Sequence, residues 1–218
     1  MKRMKKRMRG RILFCVFLVV LLILVVVFDK PMKHIIRNSI DAFQFKGVEK
    51  YKPTIQKDLS QENLQKYTPV VLALMQQESH GRGGDPMQSS ESAGLPPNTI
   101  KEPKKSINEG IKHFEHILAY GKQQHVDFAT ILQAYNMGVG YINYVAQHGG
   151  HHSEKLAKKF SLHHVNQNPN LYNCGGDKRD FRYPYCYGDF SYSDKVQATV
   201  KSLTHSVPAY LSSNTQVY

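Results

Sequence analysis

Apolar positions fall into two patterns along this chain: one unbroken run near the N-terminus, then helical spacing nearly everywhere beyond it. From Ile12 to Phe28, seventeen residues carry no charge and are almost all Leu, Val, Ile or Phe. At 1.5 Å per residue such a helix is about 25 Å long, slightly short of a ~30 Å hydrocarbon core. Arg11 and Lys30 flank the run and can snorkel to close the gap. The run is long for a cleaved signal peptide, and Phe28-Asp29-Lys30-Pro31 lacks small residues for cleavage. The pattern therefore predicts an uncleaved transmembrane anchor. Lys2, Arg3, Lys5, Lys6, Arg7, Arg9 and Arg11 precede it, so residues 1–11 should be a cytoplasmic basic head, with the rest of the chain on the extracytoplasmic side. Cys15 lies early in the apolar run and reads as a membrane-facing thiol.

Residues 29–47 read as a stalk, in which Met32, Ile35, Ile36, Ile40 and Phe43 recur at helical spacing. A domain is expected over residues 48–218. An apolar stripe runs from Leu64 through Thr68, Val71, Leu72 and Met75 to Glu78, and Pro69 either kinks this helix or opens a new one behind Thr68. Ser106-Ile107-Asn108-Glu109 has the form of a capping box, predicting a helix that carries Ile111, Phe114 and Leu118 and stops at Gly121. Asp127 should cap a helix reaching Tyr135. Short helices are expected over Tyr141–Gln147 and Ser153–Phe160, and a last one from about Asp194 to Tyr210. Residues 166–192 are irregular and tyrosine-rich. With no strand pair and no internal repeat, the fold class is all-α: one helical domain on an N-terminal anchor.

Charge changes this picture little. The formal net charge is +12, but the basic head supplies seven of those positive charges, leaving about +5 on the exported part. The remaining lysines and arginines are scattered among acidic residues, which argues against nucleic-acid binding. Cys174 and Cys186 bracket a loop rich in Gly, Tyr and Arg; outside the cytoplasm they can pair as a disulfide or stay as two thiols. The pairs His151-His152 and His163-His164 lack the short ligand spacings of a zinc site, so neither a metal nor another cofactor is expected.

The candidate chemistry centres on Glu78. It falls three, four and seven residues after Met75, Leu74 and Val71, so the apolar stripe should partly desolvate its carboxyl. It also sits in the last turn of its helix, where the negative end of the macrodipole disfavours another negative charge. Both effects favour the protonated form, which acid-assisted cleavage of a sugar acetal needs near neutral pH. An exposed helix-ending glutamate is the bland reading. Against it stands the company Glu78 keeps: Ser79 as a hydrogen-bond partner, the permissive Gly81, Gly83 and Gly84, an apolar Met87, and the polar Gln88, Ser89 and Ser90.

Glu78-Ser79, Met87-Gln88 and Ala134-Tyr135-Asn136-Met137-Gly138 resemble the three main motifs of the soluble lytic transglycosylase and goose-type lysozyme superfamily. The fuller strings are similar to the CwlT-like lysozyme domain: Met75 to Ser79, Asp85 to Ser92, Gly94 to Asn98, and Gln133 to Asn136 leading into Gly140 to Val145. The similarity spans about residues 48–205. It implies a lysozyme-like fold and cleavage of the bond from N-acetylmuramic acid to N-acetylglucosamine in bacterial peptidoglycan. It further implies Glu78 as general acid, Ser79 as its partner, Gln88 and Tyr135 lining the sugar groove, and Asn136 holding the turn. Tyr192 would match a late tyrosine near the acid, in a region also crowded by Tyr172, Tyr183, Tyr185 and Tyr187. The expected partners are glycan strands and the membrane, with secretion or conjugation machinery of the envelope as a further candidate.

The chain departs from many transglycosylases at Asp85-Pro86, where they have Gly-Leu. Asp85, with Glu91 as an outside candidate, could be a second carboxylate that activates water across roughly 6.5–9.5 Å. Asp85 could equally start an Asp-Pro turn. Without a second carboxylate a muramoyl hydroxyl can attack internally and give an anhydro product. A non-catalytic module that binds glycan strands or scaffolds an envelope complex is the alternative to an enzyme.

Overall fold

The computed structural model describes Phe17, residues 43–204 and residues 208–211. The basic head, the predicted anchor apart from Phe17, and stalk residues 29–42 lie outside them. Among the described residues no helix is long and apolar enough to cross a membrane. The chain divides into two units, Met1–Gln44 and Phe45–Tyr218, and the second carries the fold described here.

Among the described residues, a helical stretch over 43–49 is followed by seven further α-helices: α1 (Lys52–Ser60), α2 (Thr68–Ser79), α3 (Pro103–Gln123), α4 (Phe128–Met137), α5 (Val139–Ala146), α6 (Glu154–Gln167) and α7 (Tyr192–Thr204). No strand occurs among the described residues. The resulting all-α architecture is the one the periodicity predicts.

α2 is the centre of the core. Every residue from Val70 to Gln76 is buried, so this helix is enclosed on all sides rather than on one stripe. Pro69 stands in its first turn, where a missing N–H costs nothing, and a 3-10 turn, Gln65–Tyr67, leads into it. The proline thus opens a helix and does not kink one. α7 packs along α2, and Gln77 Nε2 donates to Thr199 Oγ1 at 3.0 Å to fix the pair. α2 ends at His80, which adopts left-handed φ and ψ of 58° and 28°. Gly81 follows with its backbone against Gly47, where an added Cβ would lie 2.2 Å from the Gly47 carbonyl oxygen. Only glycine fits that approach.

α3 begins earlier than its sequence predicts. Pro103 starts it, three residues before Ser106, and Glu102 is its extended N-cap residue. Ser106 is therefore no cap; it lies inside the helix, fully buried, and its hydroxyl is used elsewhere. The helix also runs past Gly121 to Gln123. Its buried face, Ile107, Gly110, Ile111, Phe114, Ile117, Leu118, has the expected i, i+3, i+4, i+7 spacing. At Gly110 a Cβ would come within 2.7 Å of the Met87 side chain, so this glycine admits Met87 to the core.

Asp127 caps α4 by accepting from the Thr130 amide at 2.9 Å, and Ser153 caps α6 by accepting from Leu156 at 3.2 Å. α6 extends to Gln167, beyond the expected end at Phe160. Between α6 and α7 the chain is irregular, broken only by a 3-10 turn at Cys174–Gly176. A Cys174–Cys186 disulfide closes this loop, with Cα atoms 5.1 Å apart.

Candidate active site

Glu78 occupies the last turn of α2, partly buried, and Oε1 accepts a 2.5 Å hydrogen bond from the hydroxyl of Tyr192, the first residue of α7. Two α4 side chains hold Tyr192 there. The fully buried Gln133 donates through Nε2 to the Asp189 carbonyl at 2.7 Å and accepts at Oε1 from the Ser193 amide at 3.1 Å. Asn136 Oδ1 accepts from the Asp189 amide at 2.6 Å. The Tyr192 ring stacks nearly parallel to Tyr135, with centroids 6.5 Å apart and planes 7° apart. α4 therefore carries the clamp and the stacking partner on one helix.

The loop after α2 is built around Asp85. This carboxylate is buried, 4% exposed, and accepts five hydrogen bonds. Oδ1 takes the Ser89 amide at 2.9 Å, the Ser89 hydroxyl at 3.2 Å and the Ser106 hydroxyl at 2.6 Å. Oδ2 takes the Ser90 amide at 3.1 Å and the Ser90 hydroxyl at 2.5 Å. Met87 is buried behind Gly110, its amide donating to Ser106 Oγ at 2.9 Å. Gln88 is exposed at a left-handed φ of 48°, and its Nε2 donates to the Asp85 carbonyl at 3.1 Å.

The sequence-derived candidates thus divide into two groups. Glu78, Tyr135 and Tyr192 come together, and Asn136 supports them from α4. Ser89 and Ser90 are buried and spend their hydroxyls within the Asp85 network. Ser79 does not reach the Glu78 carboxyl; it donates to the Pro86 carbonyl at 2.6 Å and accepts from the Gly81 amide at 3.1 Å. The left-handed turn at His80 reverses the chain there and brings Pro86 over Ser79. Glu91 stands exposed, its carbonyl accepting from Gly94 in the turn that follows.

Two carboxyls in one neighbourhood are driven apart. Burial pushes the Glu78 carboxyl up to about 7; the Tyr192 hydrogen bond lowers it, and the negative charge of Asp85 adds to the rise. For Asp85 burial also acts upward, but the donors on Ser106, Ser90 and Ser89 outweigh it and hold the carboxyl below its usual range. Near neutral pH one group can carry a proton and the other stays charged, a division of labour typical of acid–base sites. Burial and the adjoining carboxylate keep the Tyr135 and Tyr192 phenols protonated, so Tyr192 remains a donor. Among the described residues no group of three or more His, Cys, Asp or Glu is placed to hold a metal ion.

Two members of this assembly escape sequence reasoning. Ser106 reads as a cap, and nothing local marks it as a partner of Asp85. Gln133 carries one signal: an amide between Leu132 and Ala134 on a buried stripe must find partners, but the sequence does not say which.

A family model described as lysozyme-like matches residues 45–200. The chain is 50% identical over 157 residues to the uncharacterized membrane protein YocA of Bacillus subtilis, covering 72% of this chain and 70% of that protein. It is 40% identical over 161 residues to the bifunctional muramidase/DL-endopeptidase CwlT of Bacillus subtilis, 73% of this chain but only 44% of CwlT. A Staphylococcus aureus crystal structure described as similar to a lipoprotein of the NLP/P60 family superposes with a TM-score of 0.61 and 34% identity, covering 71% of this chain and 52% of that one.

Proposed function

This chain belongs to the lysozyme-like family, and we propose that it is a membrane-anchored peptidoglycan hydrolase that cleaves the bond from N-acetylmuramic acid to N-acetylglucosamine. The observation that carries the reading is the Glu78 carboxyl, raised to about 7 beside the Tyr192 hydroxyl. The muramidase activity in the name of CwlT supports the same substrate, although this chain spans less than half of that protein. The apolar run 12–28 and the membrane assignment in the name of YocA support the anchor.

In this mechanism Glu78 gives its proton to the glycosidic oxygen as the bond to the muramoyl C1 breaks, releasing the N-acetylglucosamine hydroxyl. The positive charge developing on the muramoyl ring is then met by an oxygen nucleophile. Asp85 already accepts five hydrogen bonds and has a lowered pKa, which makes it a poor base. That supports a single-carboxylate route in which Glu78, now ionised, takes the proton from the nucleophile. With water the product has a reducing muramic end. With the muramoyl hydroxyl it is an anhydro end, and mass spectrometry of digests separates the two.

The test is Glu78→Gln. It keeps an acceptor for Tyr192 but has no acidic proton to transfer, so clearing of peptidoglycan in a gel should be lost while strand binding persists. Clearing equal to the parent would remove the enzyme reading and leave a glycan-binding module.

A further inference from the structure

Positive charge that looks scattered in the sequence gathers on one face of the fold. Residues 46–58 carry the exposed Lys46, Lys50, Lys52 and Lys57, with Glu49 and Asp58 among them. Residues 101–105, which lead into α3, add the exposed Lys101, Lys104 and Lys105 and one carboxylate, Glu102. Seven lysines against three carboxylates leave this face at +4. The other residues of 43–218 hold twelve basic and twelve acidic side chains and sum to zero. The net charge of the domain is thus the charge of one face.

The two segments meet across an open cleft of about 620 Å³ between α1 and the start of α3. Tyr51 and Ile107 give it an apolar lining, while Lys57 and Lys104 bring it one ammonium group from each helix. Asp58, the single carboxylate on this lining, and Asn108 add polar groups. Such a lining fits a glycerophosphate: the phosphate pairs with the lysines, and glycerol hydroxyls donate to Asp58 and Asn108. None of these residues belongs to the Glu78 site.

The same face receives the chain that leads from the apolar run. Phe45 and Val48 are buried, and a Cβ on Gly47 would lie 2.2 Å from the His80 carbonyl oxygen, so this segment is fixed to the end of α2. Only sixteen residues, 29–44, separate it from the apolar run; fully extended they span at most about 58 Å. The lysines therefore begin where the tether ends. Exposed charges attract over roughly a Debye length, about 8 Å at physiological salt, so the face acts only in contact with a surface.

We propose that this lysine face docks on the anionic phospholipid headgroups of the membrane that holds the anchor, with one glycerophosphate headgroup in the α1–α3 cleft. The inference rests on the anchored reading above and adds an orientation to it. The domain lies on the bilayer instead of swinging on its tether, and Glu78 works at a fixed height above the lipid.

The test places the full chain in lipid nanodiscs of phosphatidylcholine, alone or mixed with phosphatidylglycerol, and follows hydrogen–deuterium exchange by mass spectrometry. Docking predicts that peptides from residues 43–60 and 101–108 exchange at least about fivefold more slowly with phosphatidylglycerol, while α6 is unchanged. High salt should remove this protection. So should the triple variant Lys46→Glu, Lys57→Glu and Lys104→Glu, whose thermal unfolding should match that of the parent. Equal exchange in the two lipids overturns the docking, as does protection that survives the triple variant. Protection that appears in phosphatidylcholine on adding soluble glycerol phosphate assigns the cleft to a free ligand and also overturns it. Release of the chain from vesicles by alkaline carbonate overturns the anchor itself, a result distinct from a retained chain without lipid-dependent protection.

Discussion

The Tyr192 hydroxyl donates to Glu78 Oε1 at 2.5 Å, joining residues 114 positions apart at the meeting of α2 and α7. A hydrogen bond to a carboxylate favours its charged form, so Tyr192 tempers the rise that burial imposes on Glu78. It also holds the carboxyl in one orientation. Tyr192→Phe should therefore move the basic limb of the activity profile to higher pH. The maximal rate should fall by roughly tenfold, in keeping with about 1.5 kcal/mol for a hydrogen bond to a charged group. Initial rates on solubilised peptidoglycan between pH 5 and 9 check both effects.

Asp85 acts on Glu78 in the opposite sense, because its charge raises the neighbouring pKa. Asp85→Asn should shift the same basic limb to lower pH. It should also destabilise the protein by at least about 3 kcal/mol, since five buried donors lose a charged acceptor. The folded pKa of Asp85 is depressed, so its stabilisation is fully present above the unfolded value of about 3.9 and is lost as pH falls through the lower folded value. Urea unfolding of parent and variant at pH 6 and in strong acid should show the gap closing in acid.

Gln133→Leu tests the clamp on Tyr192. The substitution fits an apolar surrounding but leaves the Asp189 carbonyl and the Ser193 amide without their side-chain partner. A loss of about 2–4 kcal/mol in stability is expected from the two groups. Because the start of α7 would shift, kcat should fall more than KM, and steady-state kinetics together with thermal unfolding read the two separately.

Much of this arrangement is legible in the sequence where local chemistry decides. Asp127 and Ser153 announce their helices because an N-cap is a contact over three residues, and Glu78 announces itself by lying on an apolar stripe near a helix end. Ser106 misleads for the same reason: Ser-x-x-Glu is a local cap pattern, but Pro103 fixes the helix start upstream and frees Ser106 for Asp85. Ser89 and Ser90 look like substrate ligands in the sequence, yet hydroxyls beside a buried carboxylate satisfy that charge first, and Ser79 spends its hydroxyl on the Pro86 carbonyl. Singling out Tyr192 among the late tyrosines, and giving Gln133 its partners, takes contacts 56 to 114 residues apart, which no spacing rule reaches. The anchor and stalk remain expectations from the apolar run and its flanking charges.

The account depends most on the proton held by Glu78, and titration reads it directly. Carbon-13 NMR of the side-chain carboxyls, followed from pH 3 to 9 and assigned with Glu78→Gln, should show one glutamate titrating at about 7. A Glu78 midpoint near 4.5, the ordinary glutamate value, would contradict the central claim.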